Sequence, residues 1–251
     1  MKFRELARRL IYVHKCASCR RILDMKDFDQ ALCSQCREHY GRARVESCPQ
    51  CLRSAEECTC QPRMLSAGGS LCLRKLFFYY ADKDNEAQNK LVYFIKHQPN
   101  KRIESFIARE LWTPVSEELA ELEIDDSRAL LANVPRGKKA ILEYGFDQSA
   151  RICRALSAVS GIPYAPLIKR RYGGREQKRL TAAERKKNMR ALMLPDPRYA
   201  DLAKDKYVIL FDDVVTTGAS MAACLPILRK MGVKGVICCA LATDIKKKRA
   251  S

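Results

Sequence analysis

Two adjacent carboxylates, Asp212 and Asp213, close an apolar run that begins at Tyr207, and after Val214 and Val215 come Thr216, Thr217, Gly218, Ala219 and Ser220. A continuous apolar run is the pattern of a strand buried on both faces in a parallel sheet, and the apolar periodicity after Ser220 predicts a helix. A short polar loop between such elements aims backbone N–H groups and a helix N-terminus at one point, which suits a phosphate. Gly218 permits backbone geometry that a side chain would forbid, and the threonine and serine hydroxyls add donors. A phosphate held there would leave the acid pair beside an attached sugar, able to accept from its hydroxyls. The stretch therefore specifies a ribose 5-phosphate.

A second chemistry lies near the N-terminus. Cys16-x-x-Cys19, Cys33-x-x-Cys36, Cys48-x-x-Cys51 and Cys58-x-Cys60 supply eight of the chain's thirteen cysteines. Each C-x-x-C pair sets two thiolates on one knuckle, and two such pairs complete a tetrahedral Zn²⁺ site. The eight ligands suffice for one or two structural zinc ions, with sequential pairing the simplest arrangement and interleaved pairing open. Large apolar residues are sparse here, so metal must substitute for a core. A redox role is a poor explanation because one dithiol would serve it. His14 and His39 lie close by, but a complete cysteine set has no need of them.

Those two sites need elements to position them. The 251 residues leave room for one core and a small accessory module. Pro62 and the Gly68-Gly69 pair mark a linker, which divides the chain into a zinc module at 1–66 and a larger domain at 67–251. Within the first module, residues 3–13 form an amphipathic helix that packs on its neighbour. Strands are expected at 76–81, 129–134, 164–169, 190–194, 207–213 and 235–243, and helices at 85–96, 101–112, 146–160 and after Ser220 to Met231 with a kink at Pro226. The alternation from residue 129 onward is that of an α/β, doubly wound, mainly parallel sheet. Cys153, Cys224, Cys238 and Cys239 fall in predicted core and read as packing thiols.

The formal charge of +18 points to polyanionic partners. Two zinc ions on eight thiolates would lower it to about +14. The distribution says more than the total: residues 128–190 hold sixteen Lys/Arg against four Asp/Glu, while residues 117–126 hold six acids and no base. A basic tail, 246–249, closes the chain. No apolar run approaches the ~20 residues of a membrane span, and the basic opening segment lacks the apolar core of a secretory signal. A cytoplasmic protein that is not integral to a membrane is expected, with thiols reduced.

Residues 207–220 closely resemble the PRPP-binding motif of type I phosphoribosyltransferases. With the cysteine knuckles ahead of it, nearly the whole chain resembles the ComF family of competence-associated proteins. The family's Arg-Gly-Phe-Asn-Gln stands here as Tyr144-Gly145-Phe146-Asp147-Gln148, and its later Gln and Glu-Arg-x-x-Asn match Gln177, Glu184, Arg185 and Asn188. Tyr144 and Asp147 depart from the pattern by removing a cation and adding an anion, for which Arg136, Lys138 and Lys139 are the expected compensation. The resemblance implies PRPP or ribose 5-phosphate as ligand and Mg²⁺ as the companion of PRPP. It assigns Asp212, Asp213 and the 216–220 loop to the phosphoribosyl group. Arg136, Lys138, Arg170, Arg171, Arg175, Lys178, Arg179 and Arg185 fall to pyrophosphate or DNA. It also implies single-stranded DNA handling during DNA uptake, with a helicase or uptake-machinery partner. An active phosphoribosyltransferase with an unidentified acceptor is the alternative, and a zinc-stabilised protein adaptor is the third reading.

Overall fold

The computed structural model describes residues 13–80, 86–171 and 191–244. Its centre is a four-stranded sheet in the order β1 (Leu73–Tyr79), β6 (Gly235–Asp244), β5 (Tyr207–Val215), β2 (Ala129–Asn133), every pair parallel. Tyr164 adds a parallel bridge to Leu131 outside β2. Strand periodicity sends alternate side chains to opposite faces. Ile209 and Phe211 join one buried cluster, with α3 (Ala87–His97), α4 (Lys101–Glu121) and α6 (Gln148–Ser160). Val208 and Leu210 join the other, with α2 (Arg63–Ser66) and α8 (Ala219–Lys230). Helices on both faces of a parallel sheet make the α/β, doubly wound architecture expected.

Several boundaries differ from the expectation for physical reasons. β1 starts three residues earlier than its apolar run because Arg74 and Lys75 are buried in it. Arg74 meets Glu117 and Glu118, and the Lys75 ammonium donates to the Cys58 carbonyl oxygen at 2.6 Å and the Cys60 carbonyl oxygen at 3.3 Å. α4 runs through Pro114 to Glu121, because Val115, Glu118 and Leu119 keep its buried stripe going. A further helix, α5 (Lys138–Tyr144), stands where only a loop was expected. The strand expected at 164–169 is reduced to the Tyr164 bridge. β3 (Ile168–Arg170) instead pairs antiparallel with β4 (Met193–Pro195), forming a separate two-stranded sheet. Cys153, Cys224, Cys238 and Cys239 are all buried.

The cysteine module packs on the sheet's β1 edge. Its helix α1 (Ser34–Arg44) buries Tyr40 against Phe77 of β1 and Phe106 of α4. Arg44 pairs with both Glu56 and Glu110, and the Leu73 N–H reaches the Thr59 carbonyl. An exposed strand edge invites unwanted pairing, and this one is covered. α7 (Ala200–Ala203) completes the described helices. The expected helix at 3–13, apart from its last residue, and the basic tail lie outside the described residues.

Candidate functional site

The acid pair sits at the carboxyl end of β5, and the strand's alternation gives its members different surroundings. Asp213 faces α6. Its Oδ1 accepts from the Val214 N–H at 2.7 Å, its Oδ2 accepts from Gln148 Nε2 at 2.8 Å, and Lys96 Nζ lies 3.6 Å from the same oxygen. Asp212 faces α8; its Oδ1 accepts from the Asp213 N–H at 3.0 Å. Burial, with the Asp213 charge added, pushes the Asp212 carboxyl well above the usual carboxylate range. A cavity of about 100 Å³ opens beside it, lined by residues 214–221 as well as Asp212.

The turn that shapes this cavity is built on Gly218, the residue before α8. Its φ of +74° is left-handed, and a Cβ would stand 2.8 Å from Leu65 Cγ. The glycine is therefore required by backbone conformation and by the close approach of α2. Thr216 and Thr217 are exposed, and Ala219 and Ser220 are half-buried in the first turn of α8. Free N–H groups at a helix start favour an anion.

The neighbouring loop carries the expected cations in unequal roles. The Arg170 guanidinium packs beside Gly137, whose Cβ would lie 3.5 Å from it. Burial pulls its pKa down from the ordinary arginine value, while Cys224 and the Asp212 charge oppose that change. Arg136 is committed to the protein: it donates to the carbonyl oxygens of Lys96 and Phe146 and lies 4.8 Å above the Tyr144 ring. Tyr144, in place of a cation, thus gives Arg136 a surface to stack on. Asp147 caps α6 by accepting from the Ala150 N–H at 3.0 Å, and it also accepts from the Arg136 N–H at 3.1 Å. Lys138 begins α5 with Lys139, both exposed, and Arg171 is exposed beyond β3. Gly145 ends α5 at φ +79°, followed by Phe146. Arg175, Gln177, Lys178, Arg179, Glu184, Arg185 and Asn188 lie outside the described residues.

The cysteines gather sequentially: Cys16, Cys19, Cys33 and Cys36 form one group and Cys48, Cys51, Cys58 and Cys60 the other, each with all its sulfurs within 4.8 Å. The Cys19 and Cys33 sulfurs stand 3.7 Å apart. Four ligands at about 2.3 Å from a tetrahedral zinc would be separated by about 3.8 Å, so the donor set fits that metal. The two knuckles share one geometry. The residue after the second cysteine is left-handed in each, Arg20 at φ +66° and Leu52 at φ +63°, and matching bridges, Lys15 to Ile22 and Ser47 to Ser54, close them.

Gln148, taken from a motif match, thus meets Asp213 across 65 residues of sequence. Lys96 was not anticipated. It stands in a helix whose apolar stripe was its only sequence signal, and its contact with Asp213 joins α3 to the end of β5.

Residues 140–251 match the phosphoribosyl transferase domain family. Competence protein ComFC of Streptococcus pneumoniae is 24% identical over 218 residues, covering 86% of this chain and 89% of that protein. These similarities bear out the ComF resemblance. Among solved structures, phosphoribosylpyrophosphate synthetase from Mycobacterium smegmatis aligns with a TM-score of 0.36 at 18% identity, over 57% of this chain and only 35% of that one. Purine phosphoribosyltransferase from Pyrococcus horikoshii aligns with a TM-score of 0.32 at 17% identity, over 57% and 85% respectively. Among the described residues, no helix is long and apolar enough to cross a membrane.

Proposed function

We propose that this ComF-like chain binds a phosphoribosyl ligand, PRPP or ribose 5-phosphate, at the β5–α8 turn and handles single-stranded DNA in the cytoplasm during DNA uptake. The observation that carries the ligand assignment is the small cavity at the start of α8, with hydroxyls and backbone donors on one side and Asp212 on the other. The 5′-phosphate takes the N–H groups of residues 218–220 and the hydroxyls of Thr216, Thr217 and Ser220. Asp212 accepts from the ribose hydroxyls, and Asp213, held by Gln148 and Lys96, fixes the strand end that presents it. Arg170 meets pyrophosphate or a strand phosphate. Bound with PRPP, Mg²⁺ supplies charge that the diphosphate needs. Each cysteine group holds one structural Zn²⁺, and residues 1–66 and 67–251 are the two structural units.

The DNA assignment is supported by the charge of residues 128–190, where Lys138, Lys139, Lys169 and Arg171 are exposed. A helicase or another component of the uptake machinery is the protein partner that this role calls for. Transfer of the phosphoribosyl group to an acceptor is the second reading, favoured by the acid pair with Thr216-Thr217-Gly218 and by the domain match. Acceptor-dependent pyrophosphate release from PRPP would establish it.

The phosphoribosyl assignment is tested by thermal shift. Ribose 5-phosphate should raise Tm through linkage, and Asp212→Asn should weaken it about tenfold or more while leaving inorganic phosphate unaffected, because charged hydrogen bonds contribute about 1.5–3 kcal/mol. Equal losses for both ligands would show that the acid does not read the sugar, and no shift in the native protein would remove the site.

A further inference from the structure

A second, larger cleft of about 740 Å³ lies between the first cysteine knuckle and α3. Lys96 belongs to its wall and also stands 3.6 Å from Asp213, so the cleft opens beside the acid pair. Arg20 reaches in from the knuckle, Tyr79 from the end of β1, and Lys90, Tyr93 and His97 from α3. The described lining residues include three Lys/Arg and no acid.

The aromatic groups are arranged as a platform. Tyr93 and His97, one helical turn apart, stack with ring centroids 4.0 Å apart and planes 29° from parallel, and Tyr144 braces His97 edge-on at 4.7 Å. Tyr93 is nonetheless 67% exposed. A braced, stacked ring that stays open to solvent has a face left for another π-system. Arg20, held 4.9 Å above Phe94, brings a cation from the opposite wall. Stacking rings with cations on either side, and no carboxylate among the described lining residues, suit a nucleotide: the base has a π-face and its backbone carries the negative charge.

We propose that this cleft seats an unpaired base of single-stranded DNA, the base on the Tyr93–His97 stack and its flanking phosphates on Arg20 and Lys90. The inference rests on the single-strand reading above and deepens it. It adds a base contact, at the junction of the cysteine module with α3, to the phosphate contacts of the basic region. The site therefore needs both modules, and it places the strand next to the phosphoribosyl pocket through Lys96.

The test uses the full-length, zinc-loaded chain and a ten-residue thymidine oligomer carrying one 5-iodouracil. Photocrosslinking should label the peptide that contains Tyr93 and His97. Tyr93→Leu with His97→Leu should weaken the oligomer about tenfold or more in anisotropy titrations without changing the salt dependence, since stacking releases no counterions. Lys90→Gln should instead reduce the log–log salt slope by about 0.7. An abasic oligomer should lose affinity for the native protein and be indifferent to the aromatic substitutions. The ribose 5-phosphate shift, read in every variant, reports that the variant is folded. Native-like binding by the double variant, or labelling confined to residues 128–190, would overturn the seat and leave the single-strand reading standing. Absence of salt-dependent oligomer binding by the native protein would remove both, while the phosphoribosyl shift would still report on its own pocket.

Discussion

The cysteine module and the carboxyl edge of the sheet hold their polar groups in opposite ways. In the module, two knuckles of the same geometry each bring two sulfurs to a group of four, while a few apolar side chains, Leu23, Leu32 and Tyr40 among them, tie the first group to the core. At the sheet edge, Asp213 is held by partners from α3 and α6, and the elements that bring them are fixed by a continuous core. The difference teaches where each site's stability resides. A metal held by the sulfurs would order the module, whereas packing alone sets the acid pair.

The sharpest way to break that comparison is to remove the metal. Cys33→Ser, or chelation, should destabilise the module by more than about 5 kcal/mol, because structural zinc contributes about 10–16 kcal/mol in isolated fingers. Since Tyr40 packs against Phe77 and Phe106, the loss should reach the sheet and lower the Tm of the whole chain. Elemental analysis should find two zinc ions per native chain; none in the reduced protein would refute the assignment.

Lys75→Met probes the contact between the regions. Its buried ammonium donates to the Cys58 and Cys60 carbonyl oxygens, next to sulfurs that carry net negative charge when metal is bound. Supporting residues of this kind alter metal affinity about 10–100-fold. Competition with a chromophoric chelator should show the weakening at one of two zinc ions, and equal effects on both would contradict a local role.

Gln148→Leu acts within the edge alone. It removes the 2.8 Å donor from Asp213 and should cost about 1.5–3 kcal/mol in urea unfolding, with zinc content unchanged. A loss of zinc would mean that the two regions are not separable in this way.

The smallest effect has the opposite sign. Asp212 is raised in the folded protein, so its contribution to stability is complete below the unfolded value, about pH 4, and is lost as pH rises towards and through the folded value. Asp212→Asn should remove that loss, raising Tm slightly at neutral pH even as it weakens the sugar ligand. A lower Tm in the variant at neutral pH would show that the carboxylate stabilises the fold.

How much of this was legible depended on whether the information was local. The Tyr207–Ser220 stretch and the cysteine spacings are local patterns, and both led to the observed strand, turn and clusters. Arg74 and Lys75 hid the start of β1, because their partners at Glu117, Glu118 and Cys58 are remote. The helix expected at 101–112 continues to Glu121 because tertiary burial carries it through Pro114. Asp147 read as an added anion, but its position makes it a helix cap. Lys96 gave no sign of its contact with Asp213, which exists only once β5 and α3 are brought together by the fold.

The strand order has a consequence for how the chain is made. β6 lies between β1 and β5, yet the ribosome produces it after both. β1, with Leu76, Phe77 and Phe78 buried on its two faces, must therefore wait more than a hundred residues for its neighbour. Such delays leave apolar strands open to aggregation during synthesis. The last cysteine ligand, Cys60, emerges before β1 does, so the module can close on metal first and receive the strand as it appears, through Thr59 and the Lys75 contacts. A module closed in that way would hold β1 until β6 arrives.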